Sequence, residues 1–332
     1  MSAAADFAVL LNPNAKRVSQ SVCDRIGEIV HPDHVFVSES ADDASQLVDR
    51  ILSRGYETVF TGGGDGTVTQ FINLLPEREV NPRLGILRLG TGNAMAGIVS
   101  SGNPLVDLRT YASNPTSDAY NLSLCESEGT RFAFAGLGID AAILNDYHTM
   151  QKRFTGSAFE ALLHNVGGYF AATFGMTIPR MMRRWMKRQQ TQVRITNAGG
   201  PAYAIQRTPQ GGQASTLFEP GDVLYEGPVN AVMFGTCPYY GYNIRMLPFA
   251  GLDDERFHLR VSNMPTGRIV GNIRGMWRGS IDHPELYDFQ VDKVQMSFSE
   301  PMPYQLAGEA MGMRDELTVG RSKSSVDLVR FI

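Results

Sequence analysis

Seven residues, Thr61 to Thr67 (TGGGDGT), restrict the possible folds of this chain more than any other stretch. They lie between a strand-like run, Tyr56 to Phe60, and a helix-like run, Val68 to Leu75. Consecutive glycines at such a junction let backbone N–H groups converge on an anion, because glycine permits close approach and positive φ. The helix N-terminus behind the turn adds its own unpaired donors and dipole. Asp65 would repel a phosphate unless it holds Mg²⁺ or takes a proton, so the loop points to phosphoryl chemistry rather than plain anion binding. A lone GGxG is as well explained by a Gly-rich hairpin or a helix cap. The six-residue string GGGDGT between strand and helix is far more specific.

Around that loop the first third alternates strand and helix signals. Phe7 to Leu11 is a short apolar run of the kind found in buried parallel strands, and Asn12-Pro13-Asn14 breaks it. Val18 to Val30 has helical spacing at Val22, Ile26 and Ile29, and Val35 to Val37 reads as a second strand. Ala41 to Arg54 is helical, started by Ser40 or Asp42 and stopped by Gly55. After the glycine loop and its helix, Leu84 to Leu89 is another strand, leading into Gly90-Thr91-Gly92-Asn93. The alternation predicts an α/β domain over 1–120 with a parallel sheet and helices on both faces. Ligands of such sheets sit beyond the carboxyl ends of the strands, where 12–14, 61–67 and 90–93 all fall.

From about Asn121 short strands separated by Gly, Pro and Asp turns predict a mainly antiparallel β-sandwich over 121–332. They cover Asn121–Cys125, Arg131–Ala135, Gln192–Thr196, Asp222–Glu226, Asn230–Gly235, Phe257–Ser262, Lys293–Ser299 and Leu317–Gly320. The chain's last residues are expected to pack back on the first domain. A helical insertion, Gly156 to Gln190 with a break at Pro179, interrupts the strands, and 199–215 reads as a mobile Gly/Gln/Pro-rich loop.

Composition narrows the function. With 332 residues and 43% hydrophobic content the chain can bury the cores of two domains. A formal net charge of −4 offers no global field for nucleic acid. Cys23, Cys125 and Cys237 form neither a CxxC pair nor a disulfide framework, which fits a reducing compartment. His31 and His34 are spaced as HxxH, but Pro32 lies between them and a surface turn is the expectation. The opening residues lack a basic region and a long apolar core, and no run approaches ~18 apolar residues. The expected location is cytoplasmic, with at most peripheral membrane contact.

Taken in order, NPNA at 12–15, GGGDGT at 62–67 and GTGNA at 90–94 resemble the diacylglycerol kinase catalytic-domain superfamily, which includes bacterial lipid kinases and sphingosine and ceramide kinases. Gly136 to Ala141 (GLGIDA) is similar to that family's entry into its lipid-binding domain, and Ala307-Gly308-Glu309 stands where the family has Asp-Gly-Glu. The resemblance implies an ATP- and Mg²⁺-dependent lipid kinase acting on a diacylglycerol-, ceramide- or sphingosine-like hydroxyl, with the nucleotide between the two domains. It implies nucleotide contacts at Asn12, Gly63, Gly64, Gly66, Thr67, Thr91, Asn93 and Glu309, and a lipid headgroup contact at Asp140. Asp65 is then either the carboxylate that holds Mg²⁺ or the base that takes the lipid hydroxyl's proton.

Two departures matter. Ala307 replaces the acidic residue that bacterial members use as a proposed general base, and alanine accepts no proton. The chain is therefore either an active kinase that relies on Asp65 or a silent lipid- or nucleotide-binding relative. In Leu252 to His258, Glu255 and His258 replace the Gly and second Asp of a turn that holds a structural Mg²⁺ in some bacterial members, and Asp253 and Asp254 are expected simply to cap the turn. NAD kinase shares the GGDGT loop, but GTGNA matches the lipid kinases.

On the lipid side, Phe154 to Ile178 carries apolar residues at spacings of three and four, suited either to packing on the sandwich or to lining an acyl pocket. Residues 179–190 (PRMMRRWMKRQQ) read as a basic amphipathic helix with Trp185 on its apolar face, suited either to packing on the core with its basic side solvated or to docking on an anionic membrane surface.

Overall fold

The computed structural model describes residues 7–38, 41–75, 81–115, 118–142, 190–265, 268 and 271–331. Four strands build a parallel sheet in the order β2–β1–β3–β4: β1 (Phe7–Leu11), β2 (Val35–Val37), β3 (Thr58–Gly63) and β4 (Arg83–Arg88). Helices α1 (Gln20–Gly27), α2 (Ala41–Ser53), α3 (Asp65–Leu74) and α4 (Pro104–Ser113) cover its two faces.

The period of two along β1 divides the core. Phe7, Val9 and Leu11 pack with Ile26 of α1 and Leu108 and Tyr111 of α4. Ala8 and Leu10 face the other way, toward Val48 and Ile51 of α2 and Phe71 and Ile72 of α3. Ser19 caps α1 by accepting from the Val22 N–H at 3.3 Å. Asn103 caps α4, with Pro104 following where its missing N–H costs nothing. Strand order reverses between β1 and β3, and a crevice opens beyond their carboxyl ends.

The antiparallel part comprises β5 (Ala119–Ser127), β6 (Thr130–Phe132), β7 (Phe134–Gly138), β8 (Thr191–Asn197), β9 (Ala202–Thr208), β10 (Gly211–Phe218), β11 (Val223–Val229), β12 (Ala231–Gly235), β13 (Phe257–Ser262), β14 (Leu286–Val291), β15 (Lys293–Leu306) and β16 (Glu309–Val329). The β15–β16 hairpin is its spine. The first part of β15 pairs with β8, which carries β11; its last residues pair with β7, the start of the run β7–β12–β13–β14–β9–β10. Register shifts between Ser297 and Met302 and between Pro303 and Gln305 bend the strand so that it serves both arms. The end of β16 lies antiparallel to β5 and, at Leu328, parallel to Leu84 of β4, so the parallel sheet continues into the antiparallel one.

The fold class is the expected one: a parallel α/β region followed by a mainly antiparallel β domain. Some local elements differ. Residues 199–215, read as a loop, hold β9 and the start of β10, a hairpin at the sheet edge. The side chains of β10 are nearly all exposed, so the strand needs no apolar alternation, and its composition imitates a loop. Strand β14 also escaped the sequence reading. The helical insertion expected over 156–190, the apolar run from Phe154 and the basic segment 179–190 lie outside the described residues except for Gln190. At 253–256 Asp253 accepts from the Glu255 N–H at 2.8 Å and pairs with Arg256, which also donates to the Pro201 carbonyl at 2.9 Å.

Candidate functional site

Three loops meet in the crevice. Asn12, just beyond β1, donates through Nδ2 to Thr67 Oγ1 at 3.0 Å, and its backbone N–H donates to the Gly62 carbonyl at 3.0 Å. The glycine loop turns from β3 into α3, whose N-terminus at Gly64 has no side-chain cap. Its first N–H groups are therefore free for an anion. A Cβ on Gly63 would run into the Thr67 side chain, and one on Gly90 into the backbone of Gly63 and Gly64. Glycine is required at Gly90 because two chain segments touch there.

Asp65 joins these loops. Its Oδ2 accepts from the Ala94 N–H at 2.8 Å and its Oδ1 from the Met95 N–H at 3.1 Å. The side chain is 7% exposed. Burial pushes its carboxyl up to about 6, while the two N–H bonds and the charge of Arg88 pull it down. Asn93 is buried in a left-handed conformation (φ 51°) and closes its own turn, donating to the Gly90 carbonyl at 2.7 Å. Thr91 is exposed at the tip. A strap from the β domain latches onto this loop: the Tyr242 N–H donates to the Gly92 carbonyl at 3.1 Å, and Gly241 abuts Gly92.

The other wall is the tip of the β15–β16 hairpin. Leu306 pairs with Glu309, and Ala307 and Gly308 both have positive φ (50° and 84°), the pattern of a type I′ turn. This favours Asn, Asp or Gly over alanine by about 1 kcal/mol. Exposed Glu309 reaches the glycine loop; a Cβ on Gly66 would stand 2.7 Å from its Oε1. Behind the turn, Gln305 accepts from the Gly308 N–H at 2.9 Å and donates to Asp140 Oδ2 at 3.1 Å. Burial pushes the Asp140 carboxyl up to about 6, opposed by the Gln305 bond and nearby backbone N–H groups. Its Oδ1 is buried without a well-formed hydrogen bond. Asp140 and Asp65 thus stand on opposite walls, the first in the β domain and the second at the head of α3.

Residues 6–119 match the model of the diacylglycerol kinase catalytic domain. That stretch, about a third of the chain, is what resembles the family. Among curated proteins, the "Probable lipid kinase YegS-like" of Enterobacter sp. strain 638 is 41% identical over 73 residues, 21% of this chain and 24% of the relative. The "Diacylglycerol kinase" of Staphylococcus haemolyticus is 29% identical over 90 residues, 26% of this chain and 27% of the relative. The matches thus span about a quarter of these relatives' length. A solved structure of a diacylglycerol kinase from Bacillus anthracis superposes with a TM-score of 0.63, covering 98% of this chain and 96% of that one at 16% identity, which shows a shared fold.

Two basic residues in the matched region were not singled out from sequence. The backbone N–H of exposed Arg17 donates to the Leu89 carbonyl at 3.0 Å, and the Arg17 charge acts on Tyr242. Arg88 ends β4 beside Gly63. Neither belongs to a glycine motif, so only the fold brings them to the site. Among the described residues no group of three or more His, Cys, Asp or Glu is arranged to hold a metal ion, and no helix is long and apolar enough to cross a membrane.

Proposed function

We propose that the protein is an ATP-dependent lipid kinase, transferring the γ-phosphate to the hydroxyl of a diacylglycerol-, ceramide- or sphingosine-like acceptor. The observation that carries this reading is the meeting of the glycine loop, the GTGN loop and Glu309 at one crevice, with free helix N–H groups at its floor. Phosphoryl transfer passes through a loose transition state, so positioning and charge neutralisation supply most of the catalysis. Gly63, Gly64, Gly66 and Thr67 would hold the phosphates, helped by Thr91 at the tip of the second loop. Asn12 and Asn93 act indirectly, Asn12 by holding Thr67 and Asn93 by closing the turn.

Mg²⁺ arriving with the nucleotide would neutralise phosphate charge. Such an ion keeps several waters and needs one or two carboxylates, which exposed Glu309 and the remaining lone pairs of Asp65 fit. Asp65 also secures the second loop, and its raised pKa suits it to take the hydroxyl's proton. Asp140 belongs to the acceptor side, where a buried oxygen without a well-formed hydrogen bond can receive a headgroup O–H or N–H. Residues 179–190 would lay the enzyme on an anionic membrane surface.

The test is incubation with γ-labelled ATP and a panel of hydroxyl lipids in mixed micelles. Label is expected in one lipid product. Nucleotide binding without transfer to any lipid would instead favour a silent relative, the reading that Ala307 motivates.

A further inference from the structure

Arg88 closes β4 in register with Gly63 of β3, two residues before Gly90. It therefore ends between the two glycine-containing loops. By the alternation of the strand its side chain stands on the face of Leu84 and Ile86, which pack in the core shared with α3 and the β domain. That is the face on which Glu309 meets Gly66. The guanidinium lies close enough to act electrostatically on Asp65, yet no ion pair joins the two, and both Asp65 oxygens already accept backbone N–H groups. Its Nε is buried with no hydrogen-bond partner. A buried donor on a permanently charged group is costly to leave unmade. Where it lies beside a cluster of anion-seeking N–H groups, an anion completes it.

We propose that Arg88 binds the terminal phosphates of the nucleotide and neutralises the charge that moves during transfer. This rests on the nucleotide reading of the crevice. In the reaction the acceptor hydroxyl oxygen bonds to the γ-phosphorus and the bond to the β-phosphate oxygen breaks. The hydroxyl proton leaves to a site carboxylate, and ADP departs with the extra negative charge on its β-phosphate. Arg88 forms no covalent bond; a planar, always-charged fork beside the β- and γ-phosphates stabilises that charge, as arginines do in other phosphoryl-transfer sites.

The test is calorimetric binding of ATP, ADP and AMP to the wild-type chain, Arg88→Met and Arg88→Lys. Arg88→Met is expected to weaken ATP and ADP by about 10- to 100-fold, the loss of a charge-assisted bond, while AMP binding stays within two-fold. Arg88→Lys keeps a charge without the fork and is expected to fall between. An unchanged preference for ATP over AMP in the Met variant overturns the assignment and leaves Arg88 as a counter-charge to Asp65. If the Met variant does not fold, the Lys variant decides: a several-fold greater loss for ATP than for AMP supports the role, and equal losses overturn it. Failure of the wild-type chain to bind any of the three overturns the nucleotide reading itself.

Discussion

Two carboxylates, Asp65 and Asp140, sit on opposite walls of the crevice, each pushed by burial from 3.8 to about 6. A carboxyl with a folded pKa above its unfolded value binds its proton more tightly when folded. Its contribution to stability is greatest below about 4 and falls as pH rises through the window to 6. Removing one such group should therefore help most at high pH. Asp140→Asn, which keeps an acceptor for Gln305, is predicted to gain on wild type by up to about 3 kcal/mol between pH 4 and pH 7. Urea unfolding of both proteins across that range checks it, and a pH-independent difference would contradict it. Asp65→Ala is predicted to lose at least about 100-fold in transfer, because it removes both a site carboxylate and the tie to Ala94 and Met95. Near-normal lipid phosphorylation by that variant would sink the assignment. The sequence marked Asp65 as the odd residue in a phosphate loop. It did not disclose that both oxygens are engaged, since their partners lie about 30 residues further along.

At the scale of elements, the glycine loop works because other segments are pressed against it. Gly90→Ala would drive a methyl group into the backbone of Gly63 and Gly64, so ATP affinity should drop by about ten-fold or more while the β domain stays folded. Calorimetry reads this directly, and wild-type affinity would count against the apposition. At the far end of α3, buried Arg131 donates through Nη2 to the Ile72 and Leu75 carbonyls, each at 2.7 Å. The Asn73 side chain exchanges hydrogen bonds with the Arg131 backbone. The β domain thus grips the helix whose other end forms the glycine loop. Arg131→Met should lower stability by about 2–3 kcal/mol, leaving two carbonyls unpaired, and a midpoint equal to wild type would contradict it. The glycine motifs and the helix of α3 were legible in sequence, because they are local. The arginine clamp was not, because it exists only once β6 packs against α3.

For the whole molecule, the βα rhythm of the first third was readable and the long hairpin was not. The sequence suggests separate strands at 293–299 and 317–320, and Pro301 and Pro303 lie between them. Both prolines lie where the β15–β16 register shifts and the ladder is interrupted, which is where a strand tolerates them. That bend carries one strand pair across both arms of the β domain. It brings Glu309 to the phosphate loop and leaves Leu328 to extend the parallel sheet. The fold thus carries the glycine loops and the Asp140 wall, the proposed nucleotide and acceptor sides, on one continuous sheet. The most direct test of this account is transfer of labelled γ-phosphate from ATP to diacylglycerol, ceramide and sphingosine in mixed micelles, run for wild type beside Gly90→Ala. The account predicts a labelled lipid from the wild type with at least one of these acceptors and a product rate reduced ten-fold or more in the variant. No labelled lipid with any acceptor, or equal rates from the two proteins, would contradict it.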